Sequence, residues 1–238
     1  GKGDYVNEFR PSGAREIRNA AYEFDRMAKR INRHLNQRSE MLSGISHDLR
    51  TPLTRLKLQL EMIKDSQISK KMSSDIDEME NMLNDYLQFA KTQIKESTEN
   101  VSLGKILSSI EKKMGEKNLE IKILDEITLS GRKQALERCL SNIIHNGLIY
   151  GEKVKVTIQK SSNRAVIKIE DNGPGIPPEH YRNVFKPFFR LDRSRSLNKS
   201  GVGLGLAIVE DIVNSHGGNI QLSKSSLNGL QVKISLPF

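Results

Sequence analysis

The sequence predicts a multidomain chain of two classes in series, α and then α+β. A helical hairpin pairs with a second copy into a dimeric four-helix bundle, and a sheet covered by helices on one face follows. Three observations predict this. Apolar residues recur at alternating spacings of four and three from Ile17 to Leu56, the heptad pattern of a coiled coil. A second amphipathic stretch follows a short polar turn. Beyond about residue 97 the period changes, and short alternating runs interleave with helical ones.

The first seam reads Ile17, Ala21, Phe24, Ala28, Ile31, Leu35, Leu42, Ile45, Leu49 and Leu56, with Arg38 its one misfit. It lies in a helix expected from Pro11 to about Lys64. Residues 65–69, from Asp65 to Ser69, read as a turn with a cap. A second helix then uses Met72, Ile76, Met79, Leu83, Tyr86 or Leu87, Ala90 and Ile94, and its helical spacing marks these as core rather than a methionine cofactor box. One hairpin offers too little partner surface to bury both stripes, so a homodimer is expected. Glu96 to Asn100 is polar and reads as a linker. A helix from about Leu103 to Lys117 precedes apolar runs near Leu119–Leu124 and Ile127–Leu129, and another helix covers about Arg132 to Tyr150. Val154–Ile158 and Ala165–Ile169 alternate as strands around a turn at Ser161, Ser162 and Asn163. A last helix, about Gly203 to His216, is followed by strands near Ile220–Leu222 and Leu230–Leu236.

Composition narrows the class. The net charge of +9 is spread without a basic cluster interleaved with aromatics, which argues against nucleic acid. Cys139 is the only cysteine, so no disulfide framework or thiolate metal site is available. Its place among Leu136, Leu140 and Ile143 reads as buried. No run reaches the roughly 18–20 apolar residues that span a bilayer, and no signal peptide is visible, so the chain as written is expected to be soluble.

Ile45-Ser46-His47-Asp48-Leu49-Arg50-Thr51-Pro52-Leu53 carries the first candidate chemistry. With Ile45 at heptad position d and Leu49 at a, His47 falls at f, away from the seam. A lone histidine there is ordinarily a solvated surface residue. Asp48 beside it can orient the ring and take a proton from one nitrogen while the other attacks. Thr51, one turn on, shares its side. Pro52 lacks an N–H and is expected to bend the helix. Ser46 to Thr54 resembles the H box of sensor histidine kinases of two-component systems, most nearly the EnvZ-type osmosensors. The resemblance implies that His47 accepts the γ-phosphate of ATP and passes it to an aspartate on a response regulator with an OmpR-like receiver domain. It also implies that Thr51 positions a water for dephosphorylating that regulator.

The second candidate is a pair of glycine segments. Asp171-Asn172-Gly173-Pro174-Gly175-Ile176 follows a strand directly, and by itself is a plausible tight turn. Gly201-Val202-Gly203-Leu204-Gly205 opens a helix, where free N–H groups and the helix dipole favour phosphate. Its spacing is neither a Walker A motif nor a dinucleotide fingerprint. In order with Asn142 to Asn146 upstream and Phe185 to Arg190 between, these segments resemble the N, G1, F and G2 boxes of the GHKL ATPases. That resemblance implies a Bergerat-type α/β sandwich binding ATP and Mg²⁺. It assigns Asp171 to the adenine amino group, Asn146 to Mg²⁺, Asn142 to the Mg²⁺ and phosphate region, and Arg190 to the phosphates. It adds Tyr150, Gly173, Gly175, Ile176, Lys199, Gly201, Gly203, Leu204 and Gly205 to the nucleotide site. Residues from about 190 to 200 are implied to form an ATP lid. The sequence departs from the family at Ile149, where a lysine or arginine is usual. Arg190, Arg193 and Lys199 are candidates to offset that loss.

The expected organisation is residues 1–37 as a partial HAMP-like linker helix, 38–97 as the dimerisation and phosphotransfer domain, and 98–238 as the ATP-binding domain. Ser12 to Ile17 resembles the start of a second HAMP helix, which implies the cytoplasmic region of an inner-membrane receptor. The expected activity is that of a protein-histidine kinase, bifunctional with a regulator phosphatase. The rival is a dimeric scaffold that binds a regulator with weak or no kinase activity, a reading favoured by Ile149.

Overall fold

The computed structural model describes residues 15–62, 66–91, 96–115, 118–191 and 203–238. The described residues divide into two units, 15–91 and 96–238.

The first unit is a hairpin of two helices, α1 (Arg15–Glu61) and α2 (Ser66–Lys91). Helix α1 runs without interruption through Pro52, whose ring removes the N–H that would bond the Asp48 carbonyl. Leu53, Leu60 and Ile76 are buried together between the helices. Lys57 joins the helices through Asp77 at 2.6 Å and Glu80 at 2.7 Å, and these two carboxylates raise its pKa. The expected seam is a different stripe. Ile45, Leu49 and Leu56 remain 42–46% exposed in the single chain, as do Met72 and Met79 at 45% and 53%. The hairpin's own contact thus joins Leu53 and Leu60, absent from the heptad reading, to Ile76 of the expected second stripe, and leaves Ile45, Leu49, Leu56, Met72 and Met79 exposed.

The turn between the helices corrects the sequence reading. Ser66 to Ser69 belong to α2, and the Ser69 hydroxyl donates to the Leu60 carbonyl at 2.9 Å. A serine that reads as turn chemistry instead satisfies an orphan carbonyl at the end of α1. The HAMP-like start at Ser12 to Ala14, and Ile94, lie outside the described residues.

The second unit begins with β1 (Glu99–Ser102), α3 (Leu103–Met114), β2 (Leu119–Ile123) and β3 (Thr128–Gly131). Next come α4 (Lys133–Tyr150) and the hairpin of β4 (Val154–Ser161) and β5 (Arg164–Asp171). Two single 3-10 turns, Pro178–His180 and Asn183–Phe185, precede α5 (Gly205–Ser215), β6 (Asn219–Lys224) and β7 (Leu230–Pro237). Strands β1 and β3 pair antiparallel as a separate two-stranded sheet. The main sheet has the order β2-β4-β5-β7-β6, with β2 parallel to β4 and the remaining pairs antiparallel.

Alternation explains which face of that sheet is covered. Val156 pairs with Ile169, Ile169 with Val232, and Ile167 with Ile234, and all are buried. Lys155, Thr157, Lys168 and Lys233 occupy the alternate positions, on the other face. Leu107 and Ile110 of α3, Leu140 and Ile144 of α4, and Ile212 and Val213 of α5 complete the core. The expected α+β layer is present, with α4 and α5 packed on each other.

Glu96 to Asn100 is not a linker. The Glu96 carboxylate accepts the backbone N–H groups of Gln134 and, at 3.1 Å, Ala135, and Glu99 and Asn100 enter β1. Helix α4 has no side-chain cap of its own at Arg132, so its orphan amides take a carboxylate from elsewhere. Asparagine or serine next to a helix would have been legible; a partner 38 residues away in sequence is not. Among the described residues, no helix is long and apolar enough to cross a membrane.

Candidate functional site

In the helical unit, His47 lies on α1 with Asp48 beside it and Thr51 four residues on. Asp48, Arg50 and Thr51 are exposed. The Thr54 hydroxyl donates to the Arg50 carbonyl at 3.0 Å, a local bond just past the proline. The expected outward direction of the His47 ring lies outside the described side chains.

In the other unit, Asp171 is the last residue of β5. Asp171 Oδ1 accepts two backbone N–H groups, from Gly173 at 2.8 Å and from Leu230 at 3.0 Å. The next residue, Asn172, is a brace: its Oδ1 accepts from Glu152 N and Lys153 N, both at 2.8 Å, fixing the entry to β4. Gly173 packs against the Tyr150 carbonyl, with room for no side chain: a Cβ there would lie 2.9 Å from that oxygen. Gly175 has φ +71°, a left-handed backbone that glycine adopts without strain.

Helix α4 lies flush against this corner through Gly147, where a Cβ would come within 2.7 Å of Val154 and 3.4 Å of the Asp171 Cβ. That contact brings Asn142 and Asn146, both half-buried, to the same side of the unit. Asn146 faces the opening of α5, since a Cβ on Gly205 would lie 3.6 Å from its Nδ2. The N-cap of α5 is Leu204, which is buried and provides no side-chain hydrogen bond to the first amides. Gly203 enters it at φ +78°, and the Gly203 carbonyl accepts from Phe188 N at 3.0 Å, joining the two segments that flank residues 192–202. His180 packs against Phe189, ring centroids 5.8 Å apart.

These features test the fit of a magnesium nucleotide. Helix amides without a capping side chain, reached through a left-handed glycine, are a phosphate-binding arrangement. An amide oxygen of Asn146 is a hard donor suited to Mg²⁺. No group of three or more histidine, cysteine or acidic residues able to hold a metal occurs among the described residues. The site fits.

The structure thus brings Gly147 and Gly173 against Asp171, and Asn146 against Gly205 at the start of α5. Ile176 and Arg190 are half-buried, and Tyr150, at the end of α4, is 46% exposed. Arg193, Lys199 and Gly201 lie outside the described residues. Sequence reasoning missed Gly229, where any Cβ would overlap Asp171 Oδ1 and the Asp171 carbonyl. The Asn228-Gly229 pair before a strand was the available signal. Cys139 is buried as expected, and burial pushes its thiol up to about 12.

Comparison with known proteins agrees with this geometry. Residues 37–93 match the His Kinase A (phospho-acceptor) domain, and residues 131–238 match the Histidine kinase-, DNA gyrase B-, and HSP90-like ATPase family. The class is therefore a phospho-acceptor helical domain joined to an ATPase domain. The chain is 37% identical over 227 residues to the sensor histidine kinase GtrS of Pseudomonas aeruginosa, covering 94% of this chain and 47% of that one. It is 34% identical to the sensor protein RstB of Escherichia coli, covering 90% and 52%. Among solved structures, full-length ShkA in complex with AMPPNP superposes with a TM-score of 0.63 at 25% identity, covering 84% of this chain and 46% of that one. The mycobacterial sensor histidine kinase MprB gives 0.52 at 27%, covering 59% and 97%. The chain belongs to the sensor histidine kinases, and it spans about half the length of the curated relatives it matches.

Proposed function

We propose that this chain is the kinase core of a two-component sensor, which phosphorylates its own His47 from ATP and passes the phosphoryl group to an aspartate of a response regulator. The observation that carries the reading is the presence, on one chain and in this order, of a phospho-acceptor domain containing His47 and an ATPase domain containing Asp171. Bound Mg-ATP supplies the transferable γ-phosphoryl group and the metal charge that offsets the phosphates.

The chain's own residues do the rest. Asp171 selects the base, because a carboxylate oxygen accepts from an exocyclic amino group. The opening amides of α5 and the Arg190 guanidinium hold the phosphates, and Asn146 with Asn142 serves the metal side. One His47 nitrogen attacks phosphorus, forming an N–P bond as the bond to the ADP oxygen breaks. Asp48 orients the ring and takes the proton from its other nitrogen. Two copies join through the uncovered heptad face, and the receiver domain of the regulator docks near His47. In the reverse activity, the Thr51 hydroxyl holds a water for attack on the regulator's phosphoaspartate. This region works on the cytoplasmic side of a membrane-bound sensor.

The test is incubation with γ-³²P-labelled ATP and Mg²⁺. Wild type should take up label that is acid-labile and alkali-stable, and His47→Gln should take up none while binding nucleotide normally. Acid-labile label persisting on His47→Gln would sink the assignment. Thr51→Ala should still autophosphorylate but lose most regulator dephosphorylation; equal loss of both would reduce Thr51 to a helix-supporting residue.

A further inference from the structure

We propose that Glu170 is a positioning residue for adenine recognition, setting the Asp171 carboxylate through the turn between β6 and β7. The proposal rests on the reading of Asp171 as the group that meets the adenine amino group.

Glu170 and Asp171 are consecutive at the end of β5, so their side chains leave opposite faces of the sheet. Asp171 follows Ile167 and Ile169 on the covered face, and Glu170 follows Lys168 on the other. Position 170 stands between Lys155 of β4 and Gln231 of β7, yet Glu170 is only 8% exposed. Its Oε1 accepts both the backbone N–H of Ser226, at 3.0 Å, and the Ser226 hydroxyl, at 2.8 Å. Ser226 belongs to the turn of residues 225–229 that joins β6 to β7. At the other end of that turn, Gly229 lies so close to Asp171 that any Cβ would overlap Oδ1. Leu230 N then donates to the same oxygen at 3.0 Å. Two successive residues of β5 thus grip one turn from the two faces of the sheet.

The turn can carry position from one grip to the other. Ser225 N donates to the Gly229 carbonyl at 2.9 Å, Asn228 N to the Ser225 carbonyl at 3.1 Å, and Leu227 N to the Ser225 hydroxyl at 2.9 Å. Ser225 is buried, and Asn228 takes a left-handed φ of +74°, which asparagine tolerates better than most side chains. A short turn closed by three internal bonds moves as one piece. Without an acceptor at position 170, the Ser226 amide and hydroxyl lose their partner and the turn is free to tilt against β5. Gly229 and Leu230 N shift with it, and the Asp171 carboxyl group turns about its last torsion. A hydrogen bond weakens steeply with angle, so recognition of the base suffers before the binding of phosphates, which other elements serve.

The experiment measures calorimetric affinity for ADP and for inosine diphosphate, each with Mg²⁺, on the full chain. Neither carries a γ-phosphoryl group, and the inosine base has a carbonyl oxygen where adenine has its amino group. Wild type should prefer ADP by about tenfold or more, the worth of a charge-assisted hydrogen bond. Glu170→Met keeps the side-chain volume without an oxygen acceptor. It should lower that preference by about fivefold, within the range of coupling in one hydrogen-bond network, with little change for inosine diphosphate. Glu170→Gln retains an acceptor oxygen and should restore the wild-type preference. In the Asp171→Asn background, Glu170→Met should cost no further ADP affinity, because both residues act on one bond. A purely structural role would instead lower the folded fraction, or the binding of both nucleotides together, and leave their ratio alone. A wild-type ratio in Glu170→Met, or additive losses in the double variant, would overturn the inference and leave the nucleotide site standing. If Glu170→Met does not fold, Ser226→Ala removes one of the two donors, and an unchanged ratio there overturns the inference equally. A wild type that binds the two nucleotides alike would overturn the reading of Asp171 itself.

Discussion

Asp171 Oδ1 accepts the backbone N–H of Leu230 at 3.0 Å, tying the end of β5 to the start of the neighbouring strand β7. The same oxygen accepts from Gly173 N, so both of these backbone bonds fall on one oxygen, and the proposed function leaves adenine to Oδ2. On that proposal, folding and recognition fall on different oxygens of a single carboxylate. Asp171→Asn should keep its carbonyl on those two amides and place its NH₂ where an adenine amino group needs an acceptor. Nucleotide affinity should fall about ten- to a hundredfold, the worth of a charge-assisted hydrogen bond of roughly 1.5–3 kcal/mol. The melting temperature should move by no more than a few degrees. A large loss of stability with unchanged affinity per folded molecule would assign Asp171 to the fold alone.

Leu49 is 46% exposed on a stripe with Ile45 and Leu56, while Leu53 and Leu60 bury themselves within the hairpin. Covering that stripe is worth about 25 cal/mol for each Å² of apolar surface removed from water. Light scattering should find a dimer at micromolar concentration for wild type and a monomer for Leu49→Glu. Leu49→Glu should leave the Leu53–Leu60–Ile76 contact, and so the helicity of the hairpin, largely in place. A monomeric wild type would contradict the four-helix bundle.

Ile149 lies half-buried in the last turn of α4, three residues beyond Asn146. If its side chain lies one turn along the phosphate side, Ile149→Arg adds a cation to a site of high negative charge. Affinity for a non-hydrolysable ATP analogue should then rise by up to about tenfold, and more at low salt than at high. Unchanged affinity at low salt would mean that the residue points into the domain core.

Cys139 is fully enclosed in α4, and burial pushes its thiol from 9.0 up to about 12. The folded state favours the protonated form, so its contribution to stability is complete below pH 9 and is lost as the pH rises towards 12. Denaturation followed across that range should show a component that Cys139→Ala removes. A thiol reagent near neutral pH should label the protein only after unfolding; rapid labelling of the native chain would contradict the burial.

Much of this molecule was legible in order along the chain. The Val154–Ile158 and Ala165–Ile169 alternation became β4 and β5, because a two-residue period on one covered face leaves no other register for the apolar set. Asn142, Asn146, Asp171 and the glycines were legible as residue types at spacings. The heptad stripe was legible too, but its partner was not: local periodicity cannot tell the face that meets α2, through Leu53 and Leu60, from the face left bare.

What the amino-acid sequence determined by itself was the succession of elements and the chemistry they carry, since propensity, period and turn residues act over a few positions. What the tertiary structure decided was which distant groups close each other's hydrogen bonds. Glu96 and His216 both serve the start of α4, from 38 and 84 residues away, and Gly229 leaves the room that Asp171 needs. Neither Glu96 nor His216 has a local signature, because a helix's first amides donate to any well-placed acceptor and only the packed fold determines which one arrives.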